Sequence, residues 1–320
     1  MRDFIQLQKD FISLRFGTFI HFNSATFQFH DSPVIDWEFD CENGGKPRRF
    51  PFDPKLWNPC ELDCAQWAKT AKSAGCRFAA LTAKHHEGFA LWPTKMSEHC
   101  VGNAAYKEDV VRAYLDAFRA EGIEAGLYFS VLDLTAGIGR GRCVEAQKAY
   151  IKGQIAELLT NYGSIPFIII DGWSAPWGGP SYDLLPFAEL DRLVKSIQPE
   201  CLLMNIGCTD DINDTDILFF ENAAGQEISD SFQGPGISCN KLTDTWFWRD
   251  SDSEADLKTP EWAVGKAEEC FPRNINFMLN LSPNINGRLD ENQVKAFGEI
   301  GQKLRLPGAV GTLPPGWRMR

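Results

Sequence analysis

The sequence has no run of about 18 apolar residues, so it offers no apolar helix able to span a membrane. Positive charge is also short. Lys and Arg total 32 against 43 Asp and Glu, a formal net charge of −11. An acidic chain has little to hold a phosphate backbone, which argues against nucleic acid as a partner. The ten cysteines include no CxxC pair. Cys60 and Cys64 are the closest two, and no second pair completes a zinc pattern. The set therefore reads as mostly reduced thiols, some packed as small hydrophobes, in a cytoplasmic protein. The residues after Met1, RDFIQLQKDF, alternate charge and lack the continuous apolar core of a secretory signal. No low-complexity or Pro/Gly-rich linker divides the chain, which points to one domain over residues 1–320. No GxGxxG follows the first apolar run, which lowers a dinucleotide reading. No HxH element supports a metal site, and no cofactor is expected.

What the chain does have is apolar and aromatic: 44% hydrophobic residues, ten Trp and 23 Phe. That is core material first, but it also suits a sugar-binding cleft. Short apolar β-type runs recur at 16–22, 77–86, 124–133, 166–173, 201–207, 216–222, 245–249 and 275–283. Helical patterns fill most gaps, at 63–74, 107–121, 143–162, 184–197, 261–270 and 290–304. Gly75, Gly122 and Gly163 stand where a C-terminal stop is wanted. The fifth-to-sixth and sixth-to-seventh gaps are short of a full helix. Strands alternating with helices imply a parallel sheet, and eight of them imply a (β/α)8 TIM-like barrel with one or two helices short or missing. A doubly wound open sheet is the rival.

In such a barrel the active site gathers at the C-terminal strand ends. Those ends are polar here. The eight runs bring, in order, His21 and Asn23; His85, His86 and Glu87; Tyr128, Ser130 and Asp133; Asp171 and Trp173; Asn205; Glu221 and Asn222; Trp246, Trp248 and Arg249; and Asn280. Asp171 is the sharpest of them. It directly follows the apolar Phe167–Ile170, where an unpaired buried carboxylate would be costly, so it must emerge into a polar cavity, find a cation, or cap a turn. Glu221 mirrors it after Ile217–Phe220, and Glu227 follows on a loop. Two carboxylates on nearby strand ends are what glycosidic cleavage needs: one attacks the anomeric carbon or activates water, the other protonates the leaving oxygen. Trp173, Trp177, Trp246 and Trp248 offer faces for a sugar, with the barrel core as their alternative place. Adjacent strand residues face opposite sides, so His85 and His86 can share one ligand only through a bulge or a loop start.

The elements FGTFIHF, TAKHHEGFALW, GLYFSVLD, IIIDGW, TWFWR and NFMLNLSPNINGRL, in this order and spacing, resemble the α-L-fucosidases of glycoside hydrolase family 29. The resemblance runs from about residue 14 to residue 304, and HHEGFALW is its most specific part. It implies a (β/α)8-like barrel and an exo-acting, retaining, two-step, metal-free hydrolysis of terminal α-L-fucosides, with a fucosylated glycoside as the partner. Asp171 then matches the nucleophile, and His21, His85 and His86 match ligands of the sugar hydroxyls. Tyr128 matches an aromatic lining the pocket. Glu38, in IDWEFD, falls in the region that supplies a hydroxyl-binding Glu. Glu221 is the first choice for the acid/base and Glu227 the second. The chain departs from the family pattern in carrying Ile169 two residues before Asp171, where Trp is usual, and in having no Arg in NIGCTDD after the fifth run. The β-sandwich that often follows the barrel is not expected here. Three other readings stand beside this one: a carbohydrate-binding barrel with weak or lost hydrolysis, a glycosidase for a fucose-like sugar, and a metal-dependent hydrolase built on His85, His86 and Asp171.

Overall fold

The computed structural model describes residues 3–31, 51–174, 178–208 and 212–318. Eight strands close into a barrel in sequence order. They are β1 (Phe16–Ile20), β2 (Phe78–Lys84), β3 (Glu124–Ser130), β4 (Phe167–Asp171), β5 (Leu202–Ile206), β6 (Leu218–Glu221), β7 (Gly236–Asn240) and β8 (Ile275–Leu281). Every neighbouring pair is parallel, including β8 with β1.

Helices α1 (Phe4–Ile12) and α2 (Ser24–Phe29) flank β1, and α3 (Cys64–Ser73) leads into β2. Then α4 (Val110–Ala120), α5 (Glu145–Asn161) and α6 (Phe187–Ile197) follow β2, β3 and β4, while α7 (Pro260–Cys270) and α8 (Glu291–Lys303) flank β8. Asp63 and Asp109 start α3 and α4 by accepting the amides of Gln66 and Arg112, each at 2.9 Å. Gly75 and Gly122 follow those helices with φ of +85° and +69°, a conformation open to glycine. The β5–β6 and β6–β7 crossovers carry only the short 3-10 turns Ile212–Asp214 and Asn222–Ala224 among the described residues. The first expected short gap is therefore where the sequence placed it; the second is the β6–β7 crossover, shorter than the gap expected between 216–222 and 245–249, because β7 lies inside that gap.

One strand differs from expectation. The seventh is GISCN, not TWFWR: β7 pairs with β6 from Leu218↔Gly236 to Glu221↔Cys239 and with β8 from Gly236↔Ile275 to Asn240↔Leu279. The aromatic run 245–249 lies in the loop that follows. Gly, Ser and Cys carry little β-type signal, yet a strand buried on both faces and held by two neighbours needs no strong propensity of its own.

Side chains alternate between two cores. Phe167, Ile169, Ile217, Phe219, Ile237, Cys239 and Met278 fill the barrel interior. Ile168, Ile170, Leu218, Phe220, Phe277 and Leu279 pack outward against the helices. Helix α1 closes the floor. Phe11 meets Phe78 and Phe167 at centroid distances of 5.1 and 5.2 Å, at the first residues of β2 and β4. With the floor plugged, access to the interior is from the opposite, C-terminal end. Among the described residues no helix is long and apolar enough to cross a membrane, and no cysteine is in a disulfide.

Candidate active site

The alternation that buries Phe167 and Ile169 inside the barrel carries Asp171 to the same side, two residues higher. Asp171 is the last residue of β4, and its side chain is 13% exposed. Its oxygens are both engaged. Tyr128 Oη donates to Oδ2 at 2.6 Å, and the Gly172 amide donates to Oδ1 at 2.5 Å. Gly172 turns the chain away with φ of +90°. A Cβ there would lie 2.8 Å from Leu132 N and 2.9 Å from Ser130 Oγ, so only glycine lets the backbone close on the carboxylate.

His86 stands next to this carboxylate, with Nε2 3.5 Å from Asp171 Oδ2. On the other side of the ring, Nδ1 is 2.6 Å from Ser130 Oγ. Ser130 spends its own proton on Leu132 O at 2.8 Å, so its oxygen accepts from His86 Nδ1–H. This fixes the tautomer and turns Nε2 toward the pocket. His85 stacks on Tyr128 at 5.6 Å and 20°, and lies 4.2 Å from the His86 ring. Both histidines thus reach one pocket, as a bulge would allow. The pairing of β2 with β3 shifts between Thr82 and Lys84, so that Thr82 matches the inward Tyr128 while Lys84 matches the outward Phe129.

The bulge is locked from behind. Lys84 Nζ lies 3.0 Å from Asp133 Oδ2 and 3.0 Å from Gln154 Oε1, and 4.2 Å over the Phe129 ring. Asp133 also accepts from Tyr150 Oη at 2.9 Å and from the Ala136 amide at 2.8 Å. Both charged side chains are fully buried. Glu87, next in the chain, is 2% exposed and binds His99 Nε2 at 2.9 Å, Ser24 Oγ at 3.1 Å, Thr135 Oγ1 at 3.0 Å and the Phe52 amide at 3.2 Å. It ties three loops together behind the pocket.

Across the mouth, His21 follows β1. Its ring stacks on Trp246 at 4.8 Å and 27°, and meets the edge of Phe247 at 5.4 Å. Phe247 also meets His85 edge-on at 4.9 Å. The aromatic loop is held over the pocket by Asn280, which accepts the Leu242 amide at 3.0 Å and donates to Trp246 O at 2.8 Å. Burial dominates the ionisation of the three histidines. It pushes His21 down to about 3, and holds His85 well below and His86 below the usual imidazole range. Asp171 opposes the shift at His86 without reversing it. Near neutrality the pocket holds neutral imidazoles, which can both donate and accept. His21 Nδ1 is buried with no hydrogen-bond partner among the described residues.

Glu221, the last residue of β6, continues the inward series Ile217, Phe219. By register, Ile170 matches Asn205 and Asn205 matches Leu218; the tilt of the closed sheet offsets the two-residue stagger, so Glu221 and Asp171 end their strands at about the same level, with β5 between them. Its amide is bonded by Gln226 Oε1 at 2.8 Å. Glu227 is exposed on the loop beyond.

Several residues expected at the mouth are elsewhere. Asn205 has outward parity, and its Nδ2 donates to Tyr182 Oη at 2.7 Å and Asp214 O at 3.2 Å. Asp133 serves the buried pair with Lys84. Trp173 turns into the outer core, stacked on Tyr182 at 5.4 Å and donating to Leu185 O at 2.8 Å. Trp248, by contrast, keeps to the C-terminal side: it donates to Asp290 Oδ2 at 2.6 Å, at the start of α8, and lies near His30 at 6.4 Å. Glu38 and Trp177 lie outside the described residues. Phe247 escaped sequence reasoning because alternation within a supposed strand sets it on the face opposite Trp246. In a loop, the two flank the same histidine. The Lys84–Asp133 pair left no sequence signal, since its partners are 49 positions apart.

Fold and mouth together define a closed (β/α)8 barrel with an inward carboxylate among neutral imidazoles. The family model described as Alpha-L-fucosidase matches residues 3–309, and the chain belongs to that family. It is 29% identical over 314 residues to Alpha-L-fucosidase 1 of Arabidopsis thaliana, covering 89% of this chain and 56% of that protein. It is 41% identical over 273 residues to a putative alpha-L-fucosidase of Caenorhabditis elegans, covering 78% and 53%. Among solved structures, alpha-L-fucosidase isoenzyme 1 from Paenibacillus thiaminolyticus superposes with a TM-score of 0.77 at 26% identity, covering 93% of this chain and 75% of that one. The chain spans about half the length of the curated relatives it matches.

Proposed function

We propose that this barrel hydrolyses terminal α-L-fucosides with retention of configuration. The observation that carries the reading is the inward Asp171 carboxylate at the end of β4, oriented by Tyr128 and Gly172 and bordered by His86. In the first step Asp171 attacks the anomeric carbon and forms a glycosyl ester, while the carboxylic acid of Glu221 gives its proton to the departing oxygen. In the second step the Glu221 carboxylate takes a proton from water, and the resulting hydroxide displaces Asp171 from the anomeric carbon. Glu221 is preferred to Glu227 because inward parity places it on the barrel wall, whereas Glu227 is exposed. The buried neutral histidines suit sugar hydroxyls, and Trp246 with Phe247 suits the methyl group and C–H face of the sugar.

Retention calls for carboxyl groups about 5–5.5 Å apart, against roughly 6.5–9.5 Å for inversion. The decisive experiment is turnover of an aryl α-L-fucoside by the unmodified protein and by Asp171→Gly with added azide. The expected result is loss of turnover in the variant and its partial return with azide as the inverted, β-configured fucosyl azide. Saturable fucose binding by the unmodified protein without product release would instead leave a binding barrel. The intracellular compartment we assign is a reducing one, on the ten cysteines without a CxxC pair. Titration of free thiols in the freshly isolated protein tests that assignment.

A further inference from the structure

Lys241 directly follows β7 and continues the inward series Ile237, Cys239. Its Nζ lies 5.5 Å from the centroid of Trp246, the ring that stacks on His21. The same charge reaches His21, where it adds to the main effect of burial. The side chain is half-buried, and among the described residues it forms no ion pair and no hydrogen bond. The backbone beneath it is pinned on two sides: the next residue, Leu242, donates its amide to Asn280 Oδ1 at 3.0 Å and accepts from the Lys258 amide at 3.1 Å. An ammonium group is thus held at the rim of the pocket with no carboxylate among the described residues bonded to it, in a chain with an excess of acids.

Fucose carries no charge, so the sugar in the pocket supplies no counter-ion. The position of Lys241 indicates what does. Glu221 pairs in register with Cys239, and Lys241 comes two residues after Cys239, just past the C-terminal end of that neighbouring strand. In the reading above Glu221 protonates the departing oxygen, so the space just beyond it toward solvent belongs to the leaving group. We propose that Lys241 is a specificity-determining residue that binds an anionic substituent, a carboxylate or a sulfate ester, on the aglycone. This inference rests on the fucosidase reading and adds the class of leaving group to it. A half-buried ammonium attracts such a point charge more strongly than an exposed one, and salt weakens the attraction.

The experiment compares 3-carboxy-4-nitrophenyl α-L-fucoside with its methyl ester, and 3-sulfo-4-nitrophenyl α-L-fucoside with the unsubstituted nitrophenyl fucoside. Each pair is assayed with the unmodified protein, Lys241→Gln and Lys241→Arg. The readout is the anionic-to-neutral ratio of kcat/KM, in which intrinsic leaving-group differences cancel between variants. The expected result is a drop of about fivefold in that ratio on Lys241→Gln, retention of the ratio in Lys241→Arg, and erosion of the preference by NaCl only where a cation is present. A drop confined to the carboxylate pair assigns a carboxylated aglycone, and one confined to the sulfonate pair a sulfated one. An equal ratio in all three proteins overturns the inference while leaving the fucosidase reading intact. So does a shift of the basic limb of the pH profile that is the same for charged and neutral substrates, because Lys241 would then act on Glu221. If the unmodified protein cleaves none of the four substrates, the fucosidase reading falls and takes this inference with it.

Discussion

The hydroxyl of Tyr128 donates to Oδ2 of Asp171 across 2.6 Å, from the strand next to the one that ends in the carboxylate. Tyr128 is inward by the alternation of β3 and 2% exposed, so this contact is made inside the barrel, away from bulk water. A hydrogen bond to a charged group of this kind contributes about 1.5–3 kcal/mol. Tyr128→Phe should therefore lower kcat on an aryl fucoside by roughly 10- to 100-fold, since about 1.4 kcal/mol is a factor of ten. The melting temperature should fall by roughly a few degrees as well, because the same bond contributes to folding, while the ring and its stacking on His85 keep the variant folded. Steady-state kinetics beside a thermal melt check this; an unchanged kcat would remove Tyr128 from the orientation of Asp171.

The choice between Glu221 and Glu227 is open to a chemical test. Glu221→Ala should slow fucosides with poor leaving groups far more than activated aryl fucosides, by a further factor of at least about 100, because general-acid help of 10²–10⁴ is needed only by the former. Azide should restore turnover of Glu221→Ala and yield the α-configured fucosyl azide, since the small anion then opens the glycosyl-enzyme without base help. Glu227→Ala should leave both substrates within a few-fold of the unmodified protein. The reverse pattern would transfer the role to Glu227.

The pair behind the histidines bears on stability and activity together. Removing one partner of a buried ion pair costs about 3–5 kcal/mol, because the other charge is left uncompensated. Lys84→Met should lower the free energy of unfolding by that amount and release the bulge that aims His85 and His86. In Lys84→Met/Asp133→Asn the amide oxygen still accepts from the Ala136 amide and Nδ2 donates to Tyr150 Oη, so most of the stability should return. Denaturant titration of both variants measures the difference; equal losses in the single and double variants would show that the charge pair is not the cause.

Acid stability follows from the buried imidazoles. The unfolded chain protonates histidine near 6.5, whereas burial holds His21 at about 3 and keeps His85 and His86 below their usual range. As pH falls below 6.5 the unfolded state therefore binds up to three more protons than the folded one, and stability drops. Asp252 works the other way: burial raises it to about 6, so it binds its proton earlier in the folded state and offsets up to one proton between that value and its ordinary range. Melting temperatures recorded from pH 7 to pH 4 should decline. His21→Phe, which removes one titrating group, should decline less steeply, and a slope identical to that of the unmodified protein would contradict the burial of a neutral His21.

The residues themselves made much of the barrel legible. The apolar blocks Phe167–Ile170 and Ile217–Phe220, the glycine stops at 75 and 122, and the short β5–β6 crossover all have local causes, and each stands where its local chemistry puts it. Position 171 belongs to the same class. Once β4 is a strand whose odd-numbered residues face inward, parity alone delivers the carboxylate to the mouth. What local chemistry could not decide is whatever depends on partners far apart in the chain. GISCN became β7 because β6 and β8 hold its backbone on both sides, while the more β-prone TWFWR became a loop anchored by Asn280. His85 and His86 reach one pocket because a lysine buried against residues from two later elements fixes the bulge. Trp173 and Asn205 stand at strand ends yet face the helices. Strand period determines which side a residue takes, but only the closed sheet and its covering helices determine which side is the pocket.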